Sequence, residues 1–376
     1  MKKFFALLLS LTMILALTAC GGSKSEDTTP ADSDTQEPAS DFKVGFITLH
    51  DENSTYDLNF INAAKAACEK LGVEYTLITN VPEGQECYDK AAELADAGCN
   101  IIFADSFGHE DYMIQAAKEF PNVQFCHSTG TKAHTEGLDN YHNTFASIYE
   151  GRYLAGIAAG MKLNEMIDSG KITADQAKIG YVGAFTYAEV ISGYTSFFLG
   201  ARSVCPSASM EVTFTGSWYD ETAGVPNVSY NGSTESVGPN TYIVSSRIDW
   251  EPYYEYAITA AMNGDPIDTD WTGTLATGSV VLTDLNANVA AEGTQEAIDT
   301  AKAELEAGTR QVFDVTTFTV DGQQVESYQA DVDTDANYTP DTEVVENGAF
   351  QESKFRSAPY FDLRIDGITL LDEAYG

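Results

Sequence analysis

The chain has 376 residues, 43% of them hydrophobic, and a formal net charge of −37. That is enough apolar material for two packed cores. So acidic a surface repels phosphate backbones and anionic headgroups, which excludes nucleic acid as a partner and charge-driven adsorption as the mode of membrane attachment.

The chain opens with Lys2 and Lys3, then a short apolar run from Phe4 to Leu17, then Leu17-Thr18-Ala19-Cys20. This run of fourteen residues, twelve of them apolar, falls short of the ~20 that a spanning helix needs. The pattern is a secretory signal over residues 1–19 ending in a lipobox, with cleavage before Cys20 and lipid on its thiol. Residues 20–41 are rich in Ser, Thr, Pro, Asp and Glu, the composition of a disordered acidic tether. The expected location is the extracytoplasmic face of the cell membrane.

Strand and helix patterns then alternate. Lys43–Leu49 reads as a buried strand, Asp57–Leu71 as a helix stopped at Gly72, and Val73–Ile78 as a strand. Gln85–Ala97 is a helix, Ile101–Ala104 a strand, His109–Phe120 a helix stopped by Pro121, and Val123–Cys126 a strand. Tyr149–Lys162 is a helix of small residues, and its glycines point to close helix packing because they miss the G-x-G-x-x-G spacing. Met166–Ala177 reads as a polar linker. A second unit follows with a strand at Lys178–Gly183, a helix at Val190–Val204, and strands at Glu211–Thr215 and Asn227–Tyr230. This is the βαβ rhythm of parallel sheets. The expected organisation is an N-terminal α/β lobe over 42–165, a C-terminal α/β lobe over 178–270, and crossover segments with a C-terminal extension over 271–376.

Removing the lipidated Cys20 leaves Cys68, Cys87, Cys99, Cys126 and Cys205, an odd number that excludes a complete disulfide framework. Buried free thiols are expected. There is no H-E-x-x-H, G-x-S-x-G, Walker A or EF-hand pattern, and no pair of the five histidines has i, i+3 or i+4 spacing. Neither an enzyme, a metal site nor a cofactor is expected.

The lipobox, the acidic tether and the two α/β halves resemble the Bmp family (basic membrane lipoprotein, PnrA-like) of ABC transporter substrate-binding proteins. The matching stretches include Lys43–Ile47, Tyr56–Phe60, Ile148–Gly156, Glu189–Gly193, Leu199–Arg202, Gly216–Asp220, Asp249-Trp250 and Arg356–Phe361. The resemblance implies an α/β fold of the type I periplasmic-binding kind, with two doubly wound parallel-sheet lobes joined by a hinge. It also implies uptake of small solutes, most often purine nucleosides, through an ABC permease by a monomeric receptor.

A nucleoside needs flat aromatic surfaces for its base and acceptors for its ribose hydroxyls. Such ligands sit beyond the carboxyl ends of the strands. After the first strand stand Asp51, Tyr56, Asp57, Asn59 and Phe60. By resemblance, Asp57 and Phe60 match the family's D-x-x-F contact motif: Asp57 would accept hydroxyl hydrogen bonds, and Tyr56 or Phe60 would stack on the base. The competing reading has Asp57 capping the helix and Phe60 packing inward. Ser106, Phe107 and Gly108 follow the third strand, and Ser128, Thr129 and Gly130 the fourth. Both sets are equally compatible with ordinary βα turns. The second lobe offers Phe185, Tyr187 and Glu189, then Trp218, Tyr219 and Asp220, then Asp249 and Trp250 near the hinge. Asp249-Trp250 suits hydroxyl recognition with stacking, or a helix cap with a core tryptophan.

One departure from the family pattern stands out. Between Ala223 and Gly224 relatives carry a further βα unit, and both edges here resume the pattern cleanly. The second lobe is therefore expected to lack a strand, to expose an apolar sheet edge and to have lost a ligand loop. Other readings keep the fold and change the ligand to a nucleobase, a flavin or a sugar, or make the chain a receptor for a membrane sensor.

Overall fold

The computed structural model describes residues 41–216 and 227–372. The first lobe runs β1 (Lys43–Ile47), α1 (Thr55–Leu71), β2 (Glu74–Ile78), α2 (Gln85–Asp96), β3 (Ile101–Ala104), α3 (Glu110–Glu119), β4 (Gln124–Ser128), α4 (Ala133–Glu136) and β5 (Tyr141–Ala146). A single 3-10 turn at Phe107–His109 leads into α3, so that helix proper begins one residue later than its sequence pattern suggests. The chain then passes into α5 (Ile148–Asp168), β6 (Lys178–Gly183), α6 (Ala188–Val204), β7 (Ser209–Phe214), β8 (Asn227–Tyr230), β9 (Tyr242–Ile248), α7 (Glu251–Asn263), β10 (Asp270–Gly273), β11 (Val280–Leu282) and α8 (Thr294–Glu306). Short strands close the chain: β12 (Gln329–Ala330), β13 (Thr342–Glu343), β14 (Val345–Glu346), β15 (Ala349–Phe350) and β16 (Ile368–Leu370).

The first sheet has the order β10-β5-β4-β3-β1-β2 and is parallel throughout. Helices cover both faces, so β3 and β5 are buried at every position. The unbroken apolar run of β3 follows from that two-sided burial, whereas β5 buries the polar His142, Asn143 and Thr144 as well. One face packs Phe46, Phe103 and Tyr254 into the main core; the other packs Ile47, Leu94, Ile102 and Phe125 into a second cluster. Ser54 caps α1 by accepting the Asp57 amide at 3.3 Å, and Gly72 ends it at φ 66°. The five cysteines of the described chain are buried and free.

The second lobe differs. Its strands form two three-stranded sheets, β16-β7-β6 and β11-β9-β8. Among the described residues β6 pairs only with β7, and β8 only with β9. Val182 on β6 is 60% exposed, which is unusual for a valine on a parallel strand.

α5 runs on to Asp168, through the start of the stretch whose polarity suggested a linker. It packs along α6 with almost no space between the two backbones. A Cβ at Gly156 would stand 2.0 Å from the Phe197 carbonyl oxygen, and one at Gly200 would stand 2.0 Å from that of Tyr153. The small residues serve this close approach, and α5 therefore packs on an element of the second lobe. Beyond residue 271 the chain does more than cross over: β11 and β16 pair with second-lobe strands, while β10 extends the first sheet. No helix among the described residues is long and apolar enough to cross a membrane.

Candidate functional site

The carboxyl ends of β1, β3 and β4 carry a buried polar floor. Asp57 and Asp105 are 0% and 1% exposed. Asp57 Oδ1 accepts the His50 amide at 2.8 Å, and its Oδ2 lies 3.1 Å from His50 Nδ1. Asp105 Oδ1 accepts the Leu49 amide at 3.1 Å. Asp105 Oδ2 is buried without a hydrogen-bond partner among the described residues. Burial, and then the charge of Asp57, hold Asp105 well above the usual carboxylate range. His109 Nε2 faces the Val81 carbonyl at 3.0 Å, and its Nδ1 lies 4.0 Å from Asp105. Burial pushes His109 down to about 4, so it is neutral and donates to that carbonyl. The structure thus places Asp57 beneath the exposed ring of His50, its oxygens engaged with protein groups, and assigns the helix cap to Ser54.

Asp105 gives a pH prediction. Its folded pKa is raised, so the stability it contributes is present below the unfolded value of about 3.9 and is lost as pH rises through the folded value. Asparagine keeps the shape of the carboxyl group and removes its buried charge. Asp105→Asn is expected to flatten the fall in stability above pH 4 and to melt at or above wild type at pH 7–8. The gain should be about 1.4 kcal/mol per unit of upward shift, read from urea melts across pH.

Tyr56 donates its hydroxyl to the Asp105 carbonyl at 2.8 Å, and its ring lies 5.0 Å from Phe60. Phe60 stacks on Trp250 at 4.4 Å and 20°, and both are 2% exposed. Their faces are turned to each other in the core, where the crossing from β9 to α7 brings Trp250 against α1. Asp249 accepts the Glu251 amide at 3.1 Å and pairs with Arg247 at 3.3 Å, which caps α7. Asp51 is likewise local, accepting from the backbone and side chain of Asn53. Ser106 Oγ and the Gly108 amide both donate to Glu83, at 2.5 and 2.9 Å. A Cβ at Gly108 would stand 2.5 Å from that carboxyl, so the turn requires glycine.

Ser128 is the last residue of β4; it and Thr129 are buried, and Thr129 holds φ 73°, a strained conformation for a β-branched residue. Its hydroxyl is buried without a hydrogen-bond partner among the described residues. What fixes this turn is Glu110, which the sequence pattern did not single out. Glu110 Oε1 accepts the amides of Thr131 and Lys132 at 2.8 and 2.9 Å, the Tyr141 hydroxyl at 3.2 Å and the Asn143 amide at 3.2 Å. A Cβ at Gly130 would stand 2.5 Å from the same oxygen.

The two lobes meet across these loops. Asn59 donates to both oxygens of Asn231 at 3.1–3.2 Å, and Gly232 packs against Thr55. Phe107 and Tyr187, 48% and 42% exposed, face each other at 6.0 Å and 28°. Tyr187 in turn stacks on Phe185 at 5.3 Å and 19°. These three rings form a ladder from the first lobe to the second. Beside it, Glu189 sits in the first turn of α6, close enough for its charge to act on Tyr56. Desolvation pushes Glu189 up to about 7 against the pull of Arg152. Arg152 lies 3.6 Å over the Tyr230 ring, a cation–π contact. Trp218, Tyr219, Asp220 and Cys20 lie outside the described residues. Surface cavities of about 340 and 240 Å³ open elsewhere, against Ile157 and Ala297 and against Tyr153 and Pro206. Neither is lined by the ring ladder or the carboxyl floor.

Residues 47–230 match the family model described as ABC transporter substrate-binding protein PnrA-like, Bmp. The chain carries a Bmp-family, PnrA-like substrate-binding domain. Over 183 residues it is 37% identical to a purine-binding protein of Brucella abortus, covering 47% of each chain. Over 255 residues it is 28% identical to a candidate ABC transporter glucose-binding protein, TsgA13, of Haloferax volcanii, covering 59% of this chain and 60% of that one. The chain thus spans about half of the curated relatives it matches. The solved ABC transporter solute-binding protein of Conexibacter woesei superposes with a TM-score of 0.58 at 18% identity, over 72% of this chain and 98% of that one. That likeness gives the Bmp domain its fold: two α/β lobes of the type I periplasmic solute-binding kind.

Proposed function

We propose that this chain is a lipid-anchored, extracytoplasmic receptor of an ABC importer that takes a purine nucleoside between its lobes and delivers it to the permease. The observation that carries the reading is the ring ladder of Phe107, Tyr187 and Phe185, which offers exposed flat surface at the lobe junction. Tyr56, Asn59, Ser106, Glu189 and the strained turn at Ser128-Thr129 supply polar groups around it. The match to a purine-binding protein supports the same ligand class. Cys20 would hold the lipid, and hinge closure would trap the ligand. Binding and release need no bond to be made or broken, and no enzymatic step is assigned.

The test is thermal melting of the full chain in detergent against nucleosides, nucleobases, flavins and sugars. A ligand at 100 times its Kd adds ~2.7 kcal/mol to the native state, an upward shift of a few degrees. A shift with purine nucleosides alone supports the reading. A shift with glucose alone favours the second reading, a sugar receptor, to which the Haloferax relative points. Phe107→Ala and Tyr187→Ala are each expected to weaken nucleoside binding about 5- to 100-fold, the range for loss of one base–aromatic stack. Both rings are exposed, so the unliganded melting temperature should move little. Calorimetric titration reads the loss.

A further inference from the structure

We propose that Arg152 and Glu189 act as a specificity pair that reads the N1–C6 edge of the base, requiring a hydrogen-bond donor there. The inference rests on the reading that a purine nucleoside enters between the lobes. Arg152 comes from α5 and passes Gly193, where a Cβ would lie 3.7 Å from its Nε. Glu189 is four residues before Gly193 on α6, so the two share a helix face. The guanidinium and the carboxylate are therefore brought to one side of α6, with the carboxylate near enough to Tyr56 of the first lobe for its charge to act there.

Neither group is saturated. Arg152 Nε is buried with no acceptor among the described residues. Glu189 is half-buried and accepts no hydrogen bond from a described residue; it feels Arg152 only as a charge. A buried N–H left unmet costs ~1–3 kcal/mol, and a desolvated carboxylate costs more. A flat group that presents a donor beside an acceptor satisfies both at once. The N1–H and O6 of a 6-oxopurine do so, and so do the 6-amino group and N1 of a 6-aminopurine in the opposite order. A purine without a 6-substituent has no donor on that edge and leaves Glu189 unmet.

The experiment is a thermodynamic cycle by calorimetry on the full chain. Inosine and nebularine (the ribonucleoside of unsubstituted purine) are titrated into wild type, Glu189→Ala and Glu189→Gln. Wild type is expected to bind inosine about 10- to 100-fold more tightly than nebularine. Glu189→Ala should lose most of its inosine affinity and almost none of its nebularine affinity, and Glu189→Gln should recover part of the difference. Equal losses for both ligands would make Glu189 merely structural and overturn the proposal. Equal wild-type affinities would overturn it even if the variants fail to fold. If neither nucleoside binds wild type, it is the nucleoside reading itself that fails.

Discussion

Glu110→Ala is expected to destabilise the protein by about 3–5 kcal/mol, comparable to breaking a buried charged pair. One carboxylate oxygen holds two backbone amides, a tyrosine hydroxyl and an asparagine amide, and Glu110 is only 4% exposed. Alanine would leave four donors facing a space from which water is largely excluded. Each such orphan costs ~1–3 kcal/mol before relaxation. Glu110→Gln keeps one acceptor oxygen and should cost about half as much. Urea unfolding at constant m-value would measure both. Because Glu110 anchors the turn after β4, the alanine variant should also lose the strained Thr129 conformation and bind ligand more weakly than its stability alone dictates. If the alanine variant unfolds within 1 kcal/mol of wild type, the network is not what holds the turn.

Gly156→Ala should cost about 3 kcal/mol or more, the upper range for overpacking a core. The added methyl would stand 2.0 Å from the Phe197 carbonyl oxygen, which is backbone and cannot rotate away. Relief requires α5 and α6 to separate, which loosens the main packing of the second lobe. Gly200→Ala meets the Tyr153 carbonyl at the same distance and should behave alike. Gly180→Ala is the internal control: nothing lies within 4 Å of its Cβ position. It should be neutral or stabilising by up to ~1 kcal/mol, since it restricts the unfolded chain. Equilibrium unfolding of the three variants side by side separates a steric effect from a general intolerance of alanine.

The candidate site was only partly legible in the chain. Position was readable: Ser106, Phe107, Tyr187 and Glu189 follow strands, and the fold brings them to the lobe junction. Role was not. Phe60 and Trp250 are aromatic residues in positions as suggestive as those of Phe107 and Tyr187, yet the first two are buried against each other and the second two are exposed. Asp57 carries the right chemistry for a ligand contact, but a second carboxyl group from β3 and an imidazole from the β1 loop converge on it. Arg152 sits in a helix whose pattern speaks only of packing. Glu110 looks like any surface acid in a first helical turn.

Local structure is encoded within short windows of the chain. Two-sided burial writes apolar runs into β1 and β3, a glycine marks the end of α1, and small residues mark the helix that lies closest to another. These signals depend on neighbours within a few residues, so they survive in one dimension. Features that depend on distant partners leave no such mark. Strands of three or four residues such as β10, β11 and β16 have too little pattern of their own, and they exist because a sheet edge elsewhere supplies their hydrogen bonds. The division of the second lobe into two sheets, the charge of Asp57 acting on the buried Asp105, and that of Arg152 acting on Glu189 are of the same kind. Each depends on segments whose encounter no local periodicity encodes.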